Sequence, residues 1–243
     1  MVTASSLVES VDQNTRAVGK AQEIGFWREF MQSDRCRFGW CDATPNPECD
    51  QEIYTLLRYV ASSFGQSGRT VDVLDIGSGP ISVLTNVFHG LQANLKAADP
   101  LADDYEKLWT DHARRLRAVR PMGVAGEDLV DYFGSNAFDV THIRNAIDHA
   151  VNPIAVVEQL IEITRKNGLV IIHGFENEAD SERWGGFHQW NMRIIRGDLE
   201  FEGAAHKKFR VIANFSNQLR LISACTKRLV NGKNWSTLVV QVA

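Results

Sequence analysis

Three histidines stand at points where the chain leaves regular apolar runs: His149, His173 and His188. Imidazole exchanges a proton near neutral pH, so each is a candidate general base. His173 closes one β-branched run and His149 follows another, while His188 lies in Glu182-Arg-Trp-Gly-Gly-Phe-His-Gln-Trp-Asn191. In that stretch Trp184, Phe187 and Trp190 either wall a substrate cavity around His188 or, being at helical spacing, pack a helix onto the core. His149 and His173 also have plain readings, as a helix-start residue and a strand cap. Asp148, Glu176 and Glu178 would join His149 and His173 as oxygen and nitrogen ligands. No spacing among them selects a cation, and no metal is expected.

A second kind of chemistry lies upstream, in Val73-Leu-Asp-Ile-Gly-Ser-Gly-Pro80. Gly77 and Gly79 permit a tight turn that lets backbone approach a ligand. Pro80 suits the first position of a helix, so the spacing predicts a helix from about Ile81 to His89 with free amides at its start. Asp99, twenty residues beyond Gly79, ends the next apolar run, where a carboxylate can take both hydroxyls of a ribose. A tight structural connection is the alternative. A nicotinamide site requires G-x-G-x-x-G, and Ser82 stands at the third glycine's place.

The elements that must position these groups alternate. Strands are predicted at Val71–Ile76, Leu95–Ala98, Met122–Ala125, Phe138–Ile143 and Leu169–His173, with helices over 101–119 and Pro153–Lys166. That alternation predicts an α/β fold, a Rossmann-like, doubly wound and mostly parallel sheet. Two later strands, Arg210–Phe215 or beyond and Thr237–Val242, read as an antiparallel C-terminal addition. Before the sheet, Ile24, Trp27, Phe30 and Met31 recur at helical spacing, and a second helix is predicted over Glu48–Phe64. Residues 1–68 are therefore taken as a helical lid, with Trp27 and Trp40 facing a substrate. Residues 69–243 form the core, with a substrate-side insertion at about 176–208.

Composition excludes several classes. The 243 residues are 44% hydrophobic and 23% charged, with 26 Lys+Arg against 30 Asp+Glu, a net charge of −4. Disorder is ruled out by the apolar content, and a nucleic-acid footprint by scattered basic residues under a mildly acidic total. No apolar run is long enough to span a membrane. Met1–Lys20 is polar and partly acidic, unlike a targeting peptide. Cys36, Cys41, Cys49 and Cys225 match no paired zinc spacing and are expected to be reduced, which points to the cytoplasm.

Four blocks, in order, resemble the class I S-adenosylmethionine-dependent methyltransferases. They are Leu74-Asp-Ile-Gly-Ser-Gly-Pro80, Ala97-Ala-Asp-Pro100, Phe138 through Pro153, and Lys166-Asn-Gly-Leu-Val-Ile-Ile-His173. The resemblance covers roughly residues 70–175. It implies S-adenosylmethionine as cofactor, with Gly77, Ser78, Gly79 and Pro80 beneath its methionine part and Asp75 anchoring the turn or the amino group. Asp99, followed by Pro100, would hold the ribose. Gly126, Glu127 and Asp128 resemble the block near adenine, and Arg144 and Asn145 would face cofactor and substrate. The activity expected is methyl transfer to a hydroxyl of a small molecule (a sugar, phenol or natural product) with a histidine base, His188 first. Transfer to a small-molecule amine is the alternative, although the Asn/Asp-Pro-Pro-Tyr signature of amino-methylating enzymes is replaced by Arg144-Asn-Ala-Ile147. A cofactor-binding protein without catalysis is a further one. The expected partner is a small-molecule methyl acceptor, with neither nucleic acid nor membrane; oligomeric state is not readable.

Overall fold

In the computed structural model, the described residues are 13–33, 70–84, 87–88, 91–109 and 119–243. The first element is helix α1 (Gln13–Gln32), whose Met31 is buried while Ile24, Trp27 and Phe30 are partly covered, as the stripe predicts. Trp40, the predicted helix over 48–64 and the first three cysteines lie outside the described residues.

β1 (Val71–Ile76) is almost wholly buried, with both faces covered, as expected of a central parallel strand. It pairs in parallel with β3 (Leu91–Ala98) on one side and β5 (Phe138–Arg144) on the other. A two-residue strand, β4 (Pro121–Met122), flanks β3, and β6 (Thr164–Phe175) runs parallel to β5. Beyond β6 the direction reverses. β11 (Asn234–Val242) is antiparallel to β6, and β10 (Leu219–Arg228) antiparallel to β11. Short β2 (Val87–Phe88) folds back on the start of β3, so the order is β10-β11-β6-β5-β1-β3-β2 with β4 also on β3.

Among the described residues, the connection after β3 begins with the four-residue α2 (Ala102–Tyr105), and the one after β4 carries the short α3 (Leu129–Phe133). The longest described connection is α4 (Pro153–Ile163), started by Asn152, whose Oδ1 accepts from the amides of Ile154 and Ala155. Seven of its residues are buried, among them Ile154, Val157, Leu160 and Ile163, packed on Leu74, Ile143 and Ile172.

Three expectations are corrected. No helix begins at Ile81 among the described residues. Ser82 Oγ instead accepts from the amide of Leu84 and donates to Asp75, a local pairing that competes with helical hydrogen bonds. The Arg210–Phe215 segment is not one strand. β9 (Lys208–Arg210) stops and α6 (Val211–Phe215) follows, because the Asp198 carboxylate accepts from the amides of Ile212 and Ala213. The insertion contains the four-residue helix α5 (Glu178–Ser181) and a separate antiparallel sheet that periodicity did not reveal, β7 (Trp190–Ile195), β8 (Asp198–Gly203) and β9. Met192, Leu199 and Phe201 of that sheet join the main core. Elsewhere, α4 ends three residues before the predicted limit, because Thr164 already pairs with Phe138 as sheet.

Candidate active site

A cavity of about 880 Å³ opens at the carboxyl ends of β1, β3, β5 and β6, the place where parallel α/β sheets take ligands. One end is built on the glycine turn. Gly77 and Gly79 adopt φ of +62° and +65°, the left-handed region glycine tolerates best. A Cβ on Gly77 would stand 2.4 Å from Ala146 Cβ, and one on Gly79 2.4 Å from the Trp27 ring. The amides are not free, contrary to expectation. Gly77 N donates to Ala98 O at 2.8 Å and Gly79 N to Asp99 Oδ2 at 3.0 Å, which ties the turn to the end of β3. Asp99 Oδ1 accepts from Leu101 N, and Ser78 is buried against the same turn. Burial dominates the Asp99 carboxyl and, despite those two amides, pushes its pKa up to about 6.

Asp75, Gly77, Ser78, Gly79, Asp99 and Pro100 all line this end, but Pro80 does not. Gly126 and Glu127 line the cavity too, whereas Asp128 is exposed outside it. Glu127 Oε1 accepts from the amides of Val151 and Asn152, so it also braces the loop that carries His149.

The opposite end gathers residues from distant segments. After β5, Asn145 takes a left-handed φ of 49°; its amide donates to His173 O and its Oδ1 accepts from Phe175 N. A single turn, Ile147–His149, then presents Asp148 and His149. Gln189 N donates to Asp148 O, bringing the insertion to this turn. The result is a compact cluster. His188 Nδ1 lies 2.8 Å from Asp148 Oδ2 and 3.3 Å from His149 Nε2, and His149 Nε2 is 3.5 Å from the same carboxylate oxygen. These three atoms lie within 4.8 Å of one another, closer than residue spacing alone indicated.

The charges in the cluster reinforce one another. Burial opposes the charged form of His188, but the hydrogen bond and charge of Asp148 outweigh it and raise its pKa. Burial likewise opposes ionised Asp148, yet His149 and His188 hold its carboxyl below the ordinary range. Nearby Glu178 is pushed up by burial and by the charge of Asp148. Glu176 takes no part: it accepts from Thr226, Asn234 and Ser236 at the β10–β11 end.

His173 lines the cavity through a different arrangement. Its Nε2 meets His142 Nε2 at 2.7 Å, and His142 Nδ1 meets Asp75 Oδ1 at 2.6 Å. Burial above all depresses the His173 pKa well below normal, which favours the neutral ring. Arg144 also lines the cavity, its guanidinium 5.3 Å from the centroid of the Trp235 ring.

Helix α1 lies across both ends. Trp27 covers Gly79 and its indole N–H donates to Glu23, while Gly19 packs against the Gly186–Phe187 backbone. Trp27 and Phe187 line the cavity, and the Phe187 ring sits 5.7 Å from that of His149. The other two aromatic candidates do not line it. Trp190 is a core residue packed against Gly203 of β8, and the Trp184 amide binds Ala179 O beside α5. Their helical spacing carried no information, since the segment turns into a strand.

Sequence reasoning missed His142 altogether and did not pair Asp148 with His188. A polar side chain in the middle of the apolar run Phe138–Arg144 was the available signal for His142, because such a group requires a buried partner. No local signal links residues forty apart.

The profile of the methyltransferase-domain family matches residues 48–215. No curated protein matches at a significant level. Among solved structures, the N-methyltransferase NodS from Bradyrhizobium japonicum WM9, in complex with S-adenosyl-L-homocysteine, superposes with a TM-score of 0.53 at 13% identity. That match covers 95% of this chain and 99% of NodS. A SAM-dependent methyltransferase from Aquifex aeolicus superposes with a TM-score of 0.50 at 13% identity, covering 90% of this chain and 98% of its own.

Proposed function

The chain belongs to the class I S-adenosylmethionine-dependent methyltransferases, with S-adenosylmethionine as cofactor, and on that premise we propose that it methylates a hydroxyl of a small molecule, using His188 as proton acceptor. One observation carries this reading: a single cavity joins the glycine turn and Asp99 to a histidine whose Nδ1 is held by a buried carboxylate.

The residues fit the cofactor. The turn 77–79 and the Asp99 carboxylate stand side by side at the cavity wall. They would hold the methionine and ribose parts, with Gly126 and Glu127 toward adenine and Arg144 and Asn145 toward the methyl group. When bound, S-adenosylmethionine supplies a methyl group already activated by a sulfonium. What remains for the protein is orientation, which can lower a barrier by roughly 7–11 kcal/mol, and removal of the hydroxyl proton.

Asp148 engages His188 Nδ1–H, which leaves Nε2 as the nitrogen that receives the acceptor's proton. Placing an imidazolium beside Asp148 is favourable, as the raised pKa of His188 indicates. Helix α1 serves as the lid, since Trp27 and the Gly186–Phe187 contact close the cavity from above. At the His173 end of the cavity the Arg144 guanidinium disfavours a cation. No described helix is long and apolar enough to cross a membrane.

The test is methyl transfer from labelled S-adenosylmethionine to a panel of phenols, sugars and neutral amines. Label on a hydroxyl, abolished in His188→Ala with S-adenosylhomocysteine binding intact, is the expected result. Label on amines only, at an unchanged rate in His188→Ala, would establish nitrogen transfer instead.

A further inference from the structure

Asp75 sits in the motif whose resemblance assigns it to the turn or to the cofactor, yet its two oxygens are directed elsewhere. Oδ2 accepts from Ser82 Oγ at 2.6 Å, and Oδ1 meets His142 Nδ1 at 2.6 Å. Register explains the second contact: Asp75 on β1 lies directly opposite His142 on β5. His173 on β6 lies opposite Arg144, two residues further along β5, and its ring reaches back to His142. The result is one hydrogen-bonded line, Ser82–Asp75–His142–His173, that starts in the sheet and ends at the cavity.

Proton counting gives the line a direction. Leu84 N donates to Ser82 Oγ, which donates its own proton to Asp75. A carboxylate only accepts, so His142 must carry its proton on Nδ1. With His142 as a neutral imidazole, its Nε2 is bare and accepts, and the donor at 2.7 Å is His173 Nε2–H. A neutral imidazole carries one such proton, which leaves His173 Nδ1 unprotonated.

We propose that His142 is a positioning residue that transmits the charge of Asp75 to His173, locking His173 with its proton on Nε2 and offering Nδ1 to the cavity as an acceptor. His142 itself is fully buried and does not line the cavity, so it acts only through His173. The ligand class follows: a neutral O–H or N–H, because Arg144 on the adjoining strand end disfavours a cation there. In the reading of the site given above, on which this ligand assignment rests, that donor belongs to the methyl acceptor and adds a second anchor beside His188. The tautomer itself does not depend on that reading.

Nitrogen-15 spectra of ring-labelled histidines in the full chain report the tautomer directly. The wild type is expected to show His173 as the Nε2–H form and His142 as the Nδ1–H form. Asp75→Asn is expected to invert the line: the amide oxygen takes the Ser82 proton, and the amide N–H donates to His142 Nδ1. His142 then donates from Nε2, and His173 moves its proton to Nδ1. A wild-type His173 protonated on Nδ1, or a mixture of both forms, overturns the proposal without any variant. An Asp75→Asn protein that folds but leaves the His173 pattern unchanged overturns it as well. Loss of methyl transfer to hydroxyls with the tautomers intact would instead count against the function reading alone.

Discussion

The two ends of the cavity are built by different means. At the cofactor end, the glycine turn and Asp99 lie on adjacent strand ends, and each is held by backbone: Gly77 N to Ala98 O, Gly79 N to Asp99, Leu101 N to Asp99. At the proposed acceptor end, Asp148 and His188 come from segments forty residues apart and are held by side chains and by the backbone bond from Gln189 to Asp148. The first end is specified by strand register, and the second by packing of an insertion. The first should therefore respond to substitution mainly in binding, and the second in chemistry.

The largest effect expected tests the second half of that contrast. His188→Ala should lower turnover by about 10²–10⁴-fold while S-adenosylhomocysteine affinity stays within about twofold by titration calorimetry. A large loss of cofactor affinity in that variant would show that the ends are not separable.

Next comes the cofactor end. Asp99→Ala removes the acceptor of two amides and, on the proposed reading, of the ribose, at a cost of about 1.5–3 kcal/mol, or roughly 10–100-fold in S-adenosylhomocysteine affinity. Because the Asp99 pKa is about 6, wild-type affinity should also weaken as pH falls through that value, where the carboxylate gains a proton and loses acceptor capacity. Affinity that is flat from pH 8 to 5 would remove Asp99 from the ribose.

A smaller effect is expected from Asp148→Asn. His188 must be neutral to accept a proton, so kcat/KM should rise with pH through a value above its ordinary 6.5. Without the hydrogen bond and charge of Asp148 the imidazolium is less favoured. The acidic limb should then move to lower pH in the pH–rate profile. An unmoved limb would assign it to another group.

The smallest expected effect is none. Dialysis against a chelator should leave turnover unchanged, since the hydrogen bond from His188 Nδ1–H to Asp148 accounts for their contact without a cation. Turnover lost on dialysis and restored by a divalent cation would reassign those three atoms to metal binding.

How much was legible follows the same division. β1 was read to the residue, because Val71–Ile76 is an apolar run interrupted only by Asp72 and by the buried Asp75. β5 and α4 were read nearly as well, their buried faces being continuous in sequence, whereas β6 begins five residues before the predicted Leu169, where its start is polar and less buried. Asp75, Gly77, Ser78, Gly79 and Asp99 were legible as a group because their spacing along the chain sets their spacing in space, a strand and a turn apart. The helix after Pro80 was misread because Ser82 binds Asp75 and Leu84 rather than entering a helical ladder. Trp190 was misread because alternation in β7 is hidden by its aromatic neighbours, and burial against Gly203 is a non-local fact.

By itself the sequence determined the parallel part of the sheet, the ligand-binding edge and the family, because apolar period, glycine placement and acidic strand ends are local quantities. Only the tertiary structure decided which histidines have partners. Asp148 meets His188 through the folding of an insertion, and Asp75 reaches His173 through His142 across three strands. A proton's position depends on distances of about 3 Å between such groups, and strand order, not chain order, sets those distances.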